Sequence, residues 1–495
     1  MFSINRFLLI FAVLALIQCR PPGVEYNAPS RSYNQPVTDL DFDKIKERGY
    51  LIALMDNSTT GMFMYRGKPM GYEYELLKMY TDSMGIGLRV QVVTNIDRAI
   101  EMLNNGEGDV LAYNLTVTRK RKERIAFTHW HNQARQVLVQ RKPANWRTMK
   151  LHELEPRLIR NPIELIGKEV YVRYQSAHLD RLVNLSNEIG GEILIVQDFP
   201  NVETEELIQK VADGIIDYTI AEEDIARLNA VYHPELDVNT AISFPQQMAW
   251  GVRKNSKGLL VSINSWLTEM RSEPDFHTIY NKYYKSSLSS QRRKNSDFSS
   301  LGGGKLSPYD SLLFDLAQSL GWDWRLLAAQ VYKESHFNPN AISAAGAVGL
   351  LQIVPETGRL YGVEDLTNPV ENLRAARYHI QFLQDFWSGE IEDEEERYLF
   401  ILASYNAGHG HVNDARRLAA KNDRDPDKWS HVAEYLLKLA DPVYYNDPVV
   451  TYGYCRGSEP VRYVEVIMET YHNYMNVFSE ESIIAETGDI NLPLS

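Results

Sequence analysis

The feature that most limits how this chain can fold is a change of rhythm near residue 287. Before it, short β-branched runs alternate with helical patterns. After it, the strand signals stop and helical patterning runs almost to the end. Two such periodicities do not share one layered architecture, so the chain predicts an α/β unit followed by a mainly α unit. Residues 288–305, between them, are rich in Ser, Arg and Lys and carry Gly302-Gly303-Gly304, the composition of a flexible linker. The length of 495 residues agrees, since it is about three times the usual domain size.

The first residues read as an export signal. Residues 7–17 form an apolar run behind a single cation, Arg6. The run is too short for a ~30 Å hydrocarbon core, which takes about 20 residues, and it fits a secretory h-region. Leu16-Ile17-Gln18-Cys19 resembles the bacterial lipobox, although Gln18 stands where that pattern prefers a small residue. The reading is a signal peptide over 1–18 and a tether over 19–39, lipidated at Cys19. The lipid holds the body on a membrane without spanning it. No later segment approaches 18 apolar residues. Arg20 is not the aspartate that retains enteric lipoproteins at the inner membrane, so the expected place is the periplasmic face of the outer membrane. Cys455 is then a lone thiol. A net charge of −13 gives no basic footprint, and no nucleic acid is expected as partner.

Residues 40–287 repeat strand, helix, strand. Strand-like runs lie at 50–54, 88–93, 109–112, 169–172, 193–196 and 218–221, with helical patterns at 74–84, 98–103 and 204–212. This order argues for parallel sheets covered by helices on both faces. The stretches Gly71-Tyr72-Glu73-Tyr74-Glu75-Leu76, Leu115-Thr116-Val117-Thr118-Arg119-Lys120-Arg121 and Asp213-Gly214-Ile215-Ile216-Asp217 resemble the extracellular solute-binding proteins of the polar amino-acid type. That resemblance implies a periplasmic-binding-protein-like module of two lobes about a hinge. Lobe 1 takes about 40–138 and 245–287, and lobe 2 about 139–244. It also implies that Arg121 forks onto a ligand carboxylate, that Thr116 assists, and that Glu222, a Glu where Asp is usual, meets the ligand amine. The expected ligand is a small carboxylate or a muropeptide. Read without the family, Arg121 belongs to a charge run, which is ordinarily a solvated face. Tyr174-Gln175-Ser176-Ala177 can open a helix that holds an anion. His129-Trp130-His131 places two imidazoles on one strand face, but without a nearby carboxylate or thiol cluster no metal is expected.

In the C-terminal part, Leu320, Trp324, Leu327 and Val331 form one helical stripe whose next position is Glu334. A carboxyl at the edge of an apolar wall is desolvated, and its pKa rises toward the range where it donates a proton near neutrality. Asn338-Pro339-Asn340 should stop that helix. The bland alternative is a core-edge glutamate paired with Lys333 or Arg325.

The neighbouring motifs are Gly346-Ala347-Val348-Gly349-Leu350-Leu351-Gln352, Asn368-Pro369-Val370-Glu371-Asn372, Ala403-Ser404-Tyr405-Asn406-Ala407-Gly408 and Glu459-Pro460-Val461-Arg462-Tyr463-Val464. In this order they resemble the lytic transglycosylase domain with a goose-type lysozyme fold, here over 306–475, leaving 476–495 as a tail without a role. The resemblance implies peptidoglycan glycan strands as substrate, cut between N-acetylmuramic acid and N-acetylglucosamine. It implies Glu334 as the single acid–base group, protonating the glycosidic oxygen and then taking the C6 hydroxyl proton to leave a 1,6-anhydro end. Ser343, Gln352, Tyr405, Asn406 and Tyr463 carry over as substrate-binding positions, and Leu351 replaces a methionine. Glu356, Glu371 and Glu459 are rival acids. No cofactor is called for. A hydrolase using water on the same glycan, and a non-catalytic solute- or peptidoglycan-binding lipoprotein, are the alternatives.

Overall fold

The computed structural model describes residues 36–478, except 37, 175, 198–201, 203, 287–288, 290–291, 294 and 302–303. Cys19, the signal run and most of the tether and tail therefore lie outside the described residues, as does Gln175.

Two five-stranded sheets build the first unit. In the first sheet the strands run Gly87–Val92, Tyr50–Met55, Val110–Leu111, Gly251–Val252, Ala126–Phe127. The second runs Leu194–Gln197, Glu169–Val172, Tyr218–Glu222, Gln136–Arg141, Leu236–Ala241. Neither is wholly parallel. Gly251–Val252 lies antiparallel to Val110–Leu111, and Gln136–Arg141 antiparallel to Tyr218–Glu222. These reversed strands belong to the two passages between lobes, where the chain enters a sheet without a preceding crossover helix. The hinge is the antiparallel pair Asn132–Ala134 with Gln246–Met248. The first passage therefore precedes Gln136 and falls a few residues earlier than 138. The buried run Gln136-Val137-Leu138-Val139 carries no periodic mark of the switch.

The segment expected to be a flexible linker is instead attached to lobe 1. Arg66 N donates to Phe298 O (2.7 Å), Ser300 N donates to Met64 O (3.0 Å), and Met64 N donates to Ser300 Oγ (2.9 Å). Residues 298–300 thus extend the hairpin Phe63–Tyr65/Lys68–Met70 by main-chain pairing.

The second unit is helical. Among helices Asp310–Leu320, Trp324–Ser335, Pro369–Ser388, Glu394–Ala407, His409–Lys421, Trp429–Lys438 and Ser458–Val477, Trp324–Ser335 packs against Asp310–Leu320 and Ser458–Val477, and Glu394–Ala407 against Pro369–Ser388, His409–Lys421 and Ser458–Val477. The two units share one apolar core, which runs from Leu51, Tyr72 and Trp250 through Leu313 and Val331 to Ile467 and Tyr474. Helix Ser458–Val477 covers the edge strand Gly87–Val92. Tyr474 Oη donates to Gly67 O (3.1 Å), and a Cβ on Gly67 would stand 2.2 Å from the Tyr332 ring. With φ at +76°, Gly67 meets both demands of this seam: a left-handed turn and backbone-to-ring approach.

Candidate active site

The helix Trp324–Ser335 starts where Gly321, in the left-handed region, ends the previous helix and Asp323 caps the next through Arg325 N (2.8 Å). Leu320 therefore belongs to the preceding helix, and the stripe predicted from spacing crosses a corner. From Leu326 to Tyr332 every residue is buried, so this helix is enclosed on all sides. It ends at Ser335, three residues before the Asn338-Pro339 stop, because His336 and Phe337 take left-handed φ values of 52° and 60°. Such conformations cost about 1–3 kcal/mol each. The burial of Phe337 between the Tyr332 and Phe298 rings offsets this cost.

Glu334 emerges at this corner, half-buried. Tyr463 Oη donates to Glu334 Oε1 (2.6 Å), and Gln330 Nε2 donates to Tyr463 Oη (3.3 Å). Burial pushes the Glu334 carboxyl up to about 7, against the hydrogen bond from Tyr463 and the charge of Lys333, which both favour the ionised form. Among the described residues no cation pairs with Glu334. Arg325, the proposed neutraliser, is held by Asp323 (2.6 Å), and Lys333 lies over the Tyr463 ring instead. The rival acids differ. Glu356 pairs with Arg359 (3.0 Å), Glu371 with Arg374 (2.6 Å) and Glu459 with Arg456 (2.9 Å), each one helical turn away.

Of the other positions, Tyr405 stands close enough to feel the charge of this carboxyl. Tyr405 Oη donates to Leu351 O (2.8 Å), and burial together with the Glu334 charge pushes its phenol up. Ser343 closes the loop after the helix, exchanging bonds with Ala347 through its backbone N–H (2.9 Å) and its Oγ (3.0 Å). Gln352, at φ 47°, donates its amide nitrogen to Ala341 O (3.1 Å) and Gly349 O (2.9 Å). Its nitrogen thus braces the loop. Asn406 is exposed at the end of helix Glu394–Ala407.

Asn372, quoted above only as part of a motif, is fully buried and holds three loop atoms. Its Nδ2 donates to Val348 O and Leu366 O (2.9 Å each), and its Oδ1 accepts from Leu351 N (2.9 Å). Gly349, at φ 85°, makes room for that amide, since a Cβ would sit 2.2 Å from Nδ2. Ser335 Oγ adds a bond to Leu350 O (2.8 Å). The signal in the sequence was an amide among Leu373, Ala375 and Ala376 on a core-facing helix turn.

A second cleft lies between the lobes. Thr116, Arg121 and Glu222 all line it, with Asp56, Arg173 and Glu205. Arg121 Nη1 donates to Thr116 O (3.0 Å). Glu222 Oε1 lies 3.1 Å from His178 Nε2. Burial works against its ionisation, but the charge and hydrogen bond of His178 hold the carboxyl below its ordinary value. Thr59 Oγ1 to Glu205 Oε1 (2.9 Å) and Tyr280 Oη to Asp224 Oδ2 (3.0 Å) tie the two lobes across it. His131 Nε2 is buried 3.5 Å from Glu73 Oε2, the same oxygen that accepts from the Trp250 indole (2.5 Å); His129 is exposed.

A half-buried acid beside a phenol in a lysozyme-like helical unit, joined to a two-lobed cleft carrying arginines, defines a modular glycan-cleaving enzyme with a solute-binding unit. Two family models match in that order: bacterial extracellular solute-binding proteins, family 3, over residues 51–286, and the transglycosylase SLT domain over residues 311–428. The membrane-bound lytic murein transglycosylase F of Desulfosudis oleivorans is 35% identical over 86% of this chain and 90% of its own length. That of Pseudomonas fluorescens is 28% identical over 87% and 85%. Among solved structures, holo ArgBP from T. maritima is 26% identical over 48% of this chain and 98% of its own, with a TM-score of 0.39. The chain belongs to the membrane-bound lytic murein transglycosylase F family. It is a peptidoglycan lytic transglycosylase, a lyase, with an N-terminal binding module.

Proposed function

We propose that Glu334 performs both proton transfers of a non-hydrolytic cut between N-acetylmuramic acid and N-acetylglucosamine. Protonated, it gives its proton to the glycosidic oxygen. As the carboxylate so formed, it takes the proton of the muramoyl C6 hydroxyl while that oxygen attacks C1. The C1–O4 bond breaks, the C6–O–C1 bond forms, and a 1,6-anhydro end remains. The observation that carries this reading is the half-buried, unpaired carboxyl pushed up to about 7 with Tyr463 2.6 Å away. Because the nucleophile belongs to the reacting sugar, a second carboxylate is not required. Ser343, Gln352, Tyr405 and Asn406 are the groups that meet the flanking sugars. Mass spectrometry of digested sacculi tests the chemistry: anhydro ends support it, and reducing ends point to water as nucleophile.

The pH dependence follows from the same carboxyl. The reaction starts from the protonated acid, so kcat/KM falls as pH rises through about 7. Tyr463 donates to the ionised form, and Tyr463→Phe removes that support. The alkaline limb of the variant should therefore move to higher pH, with lower kcat. A pH–rate profile whose limb stays in place or moves down contradicts the assignment.

In the N-terminal cleft, Arg121 takes the carboxylate of an amino-acid or peptide ligand, with Thr116 beside it and Glu222 toward the ligand amine. A planar guanidinium suits a carboxylate by two parallel hydrogen bonds. Losing one such partner costs about 2–5 kcal/mol, so Arg121→Ala should weaken binding of a stem-peptide ligand at least 30-fold by calorimetry. Equal affinity in wild type and variant rejects this site. Among the described residues no helix is long and apolar enough to cross a membrane. Anchoring is assigned to a lipid on Cys19 at the periplasmic face of the outer membrane. Intact-mass analysis of membrane-extracted protein checks it.

A further inference from the structure

We infer that the rings around residues 406–411 form a distal sugar-stacking platform, which carries the glycan strand beyond the sugars that flank the scissile bond. The inference rests on the transglycosylase reading above and extends it to chain length.

Three large aromatic side chains stand exposed here: Phe382 at 45%, Tyr452 at 59% and Tyr454 at 59%. Phe382 packs edge-on against His409, with ring centroids 5.4 Å apart. Tyr452 lies on the backbone of Gly410, where a Cβ would come within 2.6 Å of its ring, and against His411 at 5.9 Å. The two rings therefore both contact one short segment, Phe382 at His409 and Tyr452 at Gly410 and His411. That segment begins at Tyr405 and Asn406, so it continues directly from the catalytic corner. A second connection runs through His379, which touches Tyr405 (5.2 Å) and Phe382 (6.4 Å).

The platform is rigid. The buried Asp414 carboxylate accepts from Thr451 N (2.9 Å) and Tyr452 N (2.7 Å), and Cys455 N donates to Leu439 O (3.2 Å). An aromatic ring fixed on one face and open on the other has already lost its conformational freedom, so a flat apolar partner is bound without further ordering. Residues 404–412 contain no charged side chain. An anionic bilayer surface is met by clustered Lys and Arg. An uncharged aromatic floor instead suits pyranose rings, which present C–H faces edged by hydroxyl and acetamido groups.

The test uses the full chain carrying Glu334→Gln, which does not need to cut in order to bind, in co-sedimentation with purified sacculi. Adding Phe382→Ala with Tyr452→Ala should raise the apparent Kd for sacculi about tenfold, the factor that two ring contacts of ordinary aromatic strength supply. The loss should be much smaller for a fragment of two disaccharides, which offers fewer sugars to stack on the rings. In the cleaving protein, the ratio of kcat/KM on intact strands to that on the fragment should fall by the same factor. Tyr452→Phe keeps the ring and should keep binding. Phe382→Leu keeps packing against His409 without a ring and should lose its share. If Glu334 were not the catalyst, the binding result would stand unchanged, so the two readings fail separately. Equal affinity of the double variant for sacculi, equal losses on long and short glycan, or a loss confined to anionic phospholipid vesicles overturns the proposal.

Discussion

Glu334→Gln is expected to lower solubilisation of sacculi about 10³-fold, within the range that one positioned acid–base group supplies. The substitution keeps the size of the side chain and an oxygen that can accept from Tyr463, so the corner should keep its shape. What it removes is the ionisable carboxyl proton. Nothing nearby replaces it: the rival acids Glu356, Glu371 and Glu459 each stand in an i,i+3 pair with an arginine. The measured quantity is release of soluble fragments per enzyme per minute, with binding to sacculi as the control. Binding should persist. Activity above about a tenth of wild type would mean that another group moves the proton.

How far the sequence reveals this corner depends on distance along the chain. The desolvated carboxyl was legible, because a stripe of apolar residues at steps of three and four leads to it. Its precise frame was less so. Gly321 breaks the stripe into two helices, and spacing alone does not report a break that keeps Leu320 facing inward. Tyr463 lies 129 positions away, and only the motif order placed it near Glu334. Thr116, Arg121 and Glu222 meet in one cleft although they come from different lobes, which again required the family pattern rather than periodicity. The linker misled for a physical reason. Ser- and Gly-rich composition reports side-chain content, whereas residues 298–300 are held by backbone groups pairing with a hairpin edge, and any sequence carries those groups. The seam at Gly67 was hidden for a similar reason. Arg66-Gly67 reads as an ordinary tight turn, and only the tertiary structure shows Tyr332 and Tyr474 closing on it.

The same continuity between units leads to the second large effect, in stability. Arg253→Met should destabilise the protein by about 3–5 kcal/mol, because it leaves buried acceptors and a charge without their partner. Arg253 is fully buried, as is Asp109. Its guanidinium binds Asp109 Oδ1 (3.0 Å), Leu103 O (3.1 Å), Leu40 O (3.0 Å), Ser256 Oγ (3.2 Å) and Gly108 O. Methionine fills much of the volume but offers no donor. Asp109 would keep Arg48 and Ile52 N (2.9 Å), which places the cost nearer 3 kcal/mol if the neighbouring strands relax. Leu103 O would keep Gly106 N (3.1 Å) and Leu40 O would keep Ser256 Oγ (2.6 Å), so the Gly108 carbonyl bears most of the loss. Loss of the bond to Leu40 also loosens residues 38–41, which Asn255, Ser256, Gly258 and Leu259 otherwise clamp at the entry of the chain into lobe 1. Because one apolar core joins lobe 1 to the helix carrying Glu334, the damage should not stay local. The urea midpoint should fall by about 1 M, and loss of activity should track loss of lobe 1 tryptophan signal in a single transition. Two separated transitions, with the catalytic unit unaffected by the variant, would show that the seam at Gly67 and Tyr474 does not couple the units.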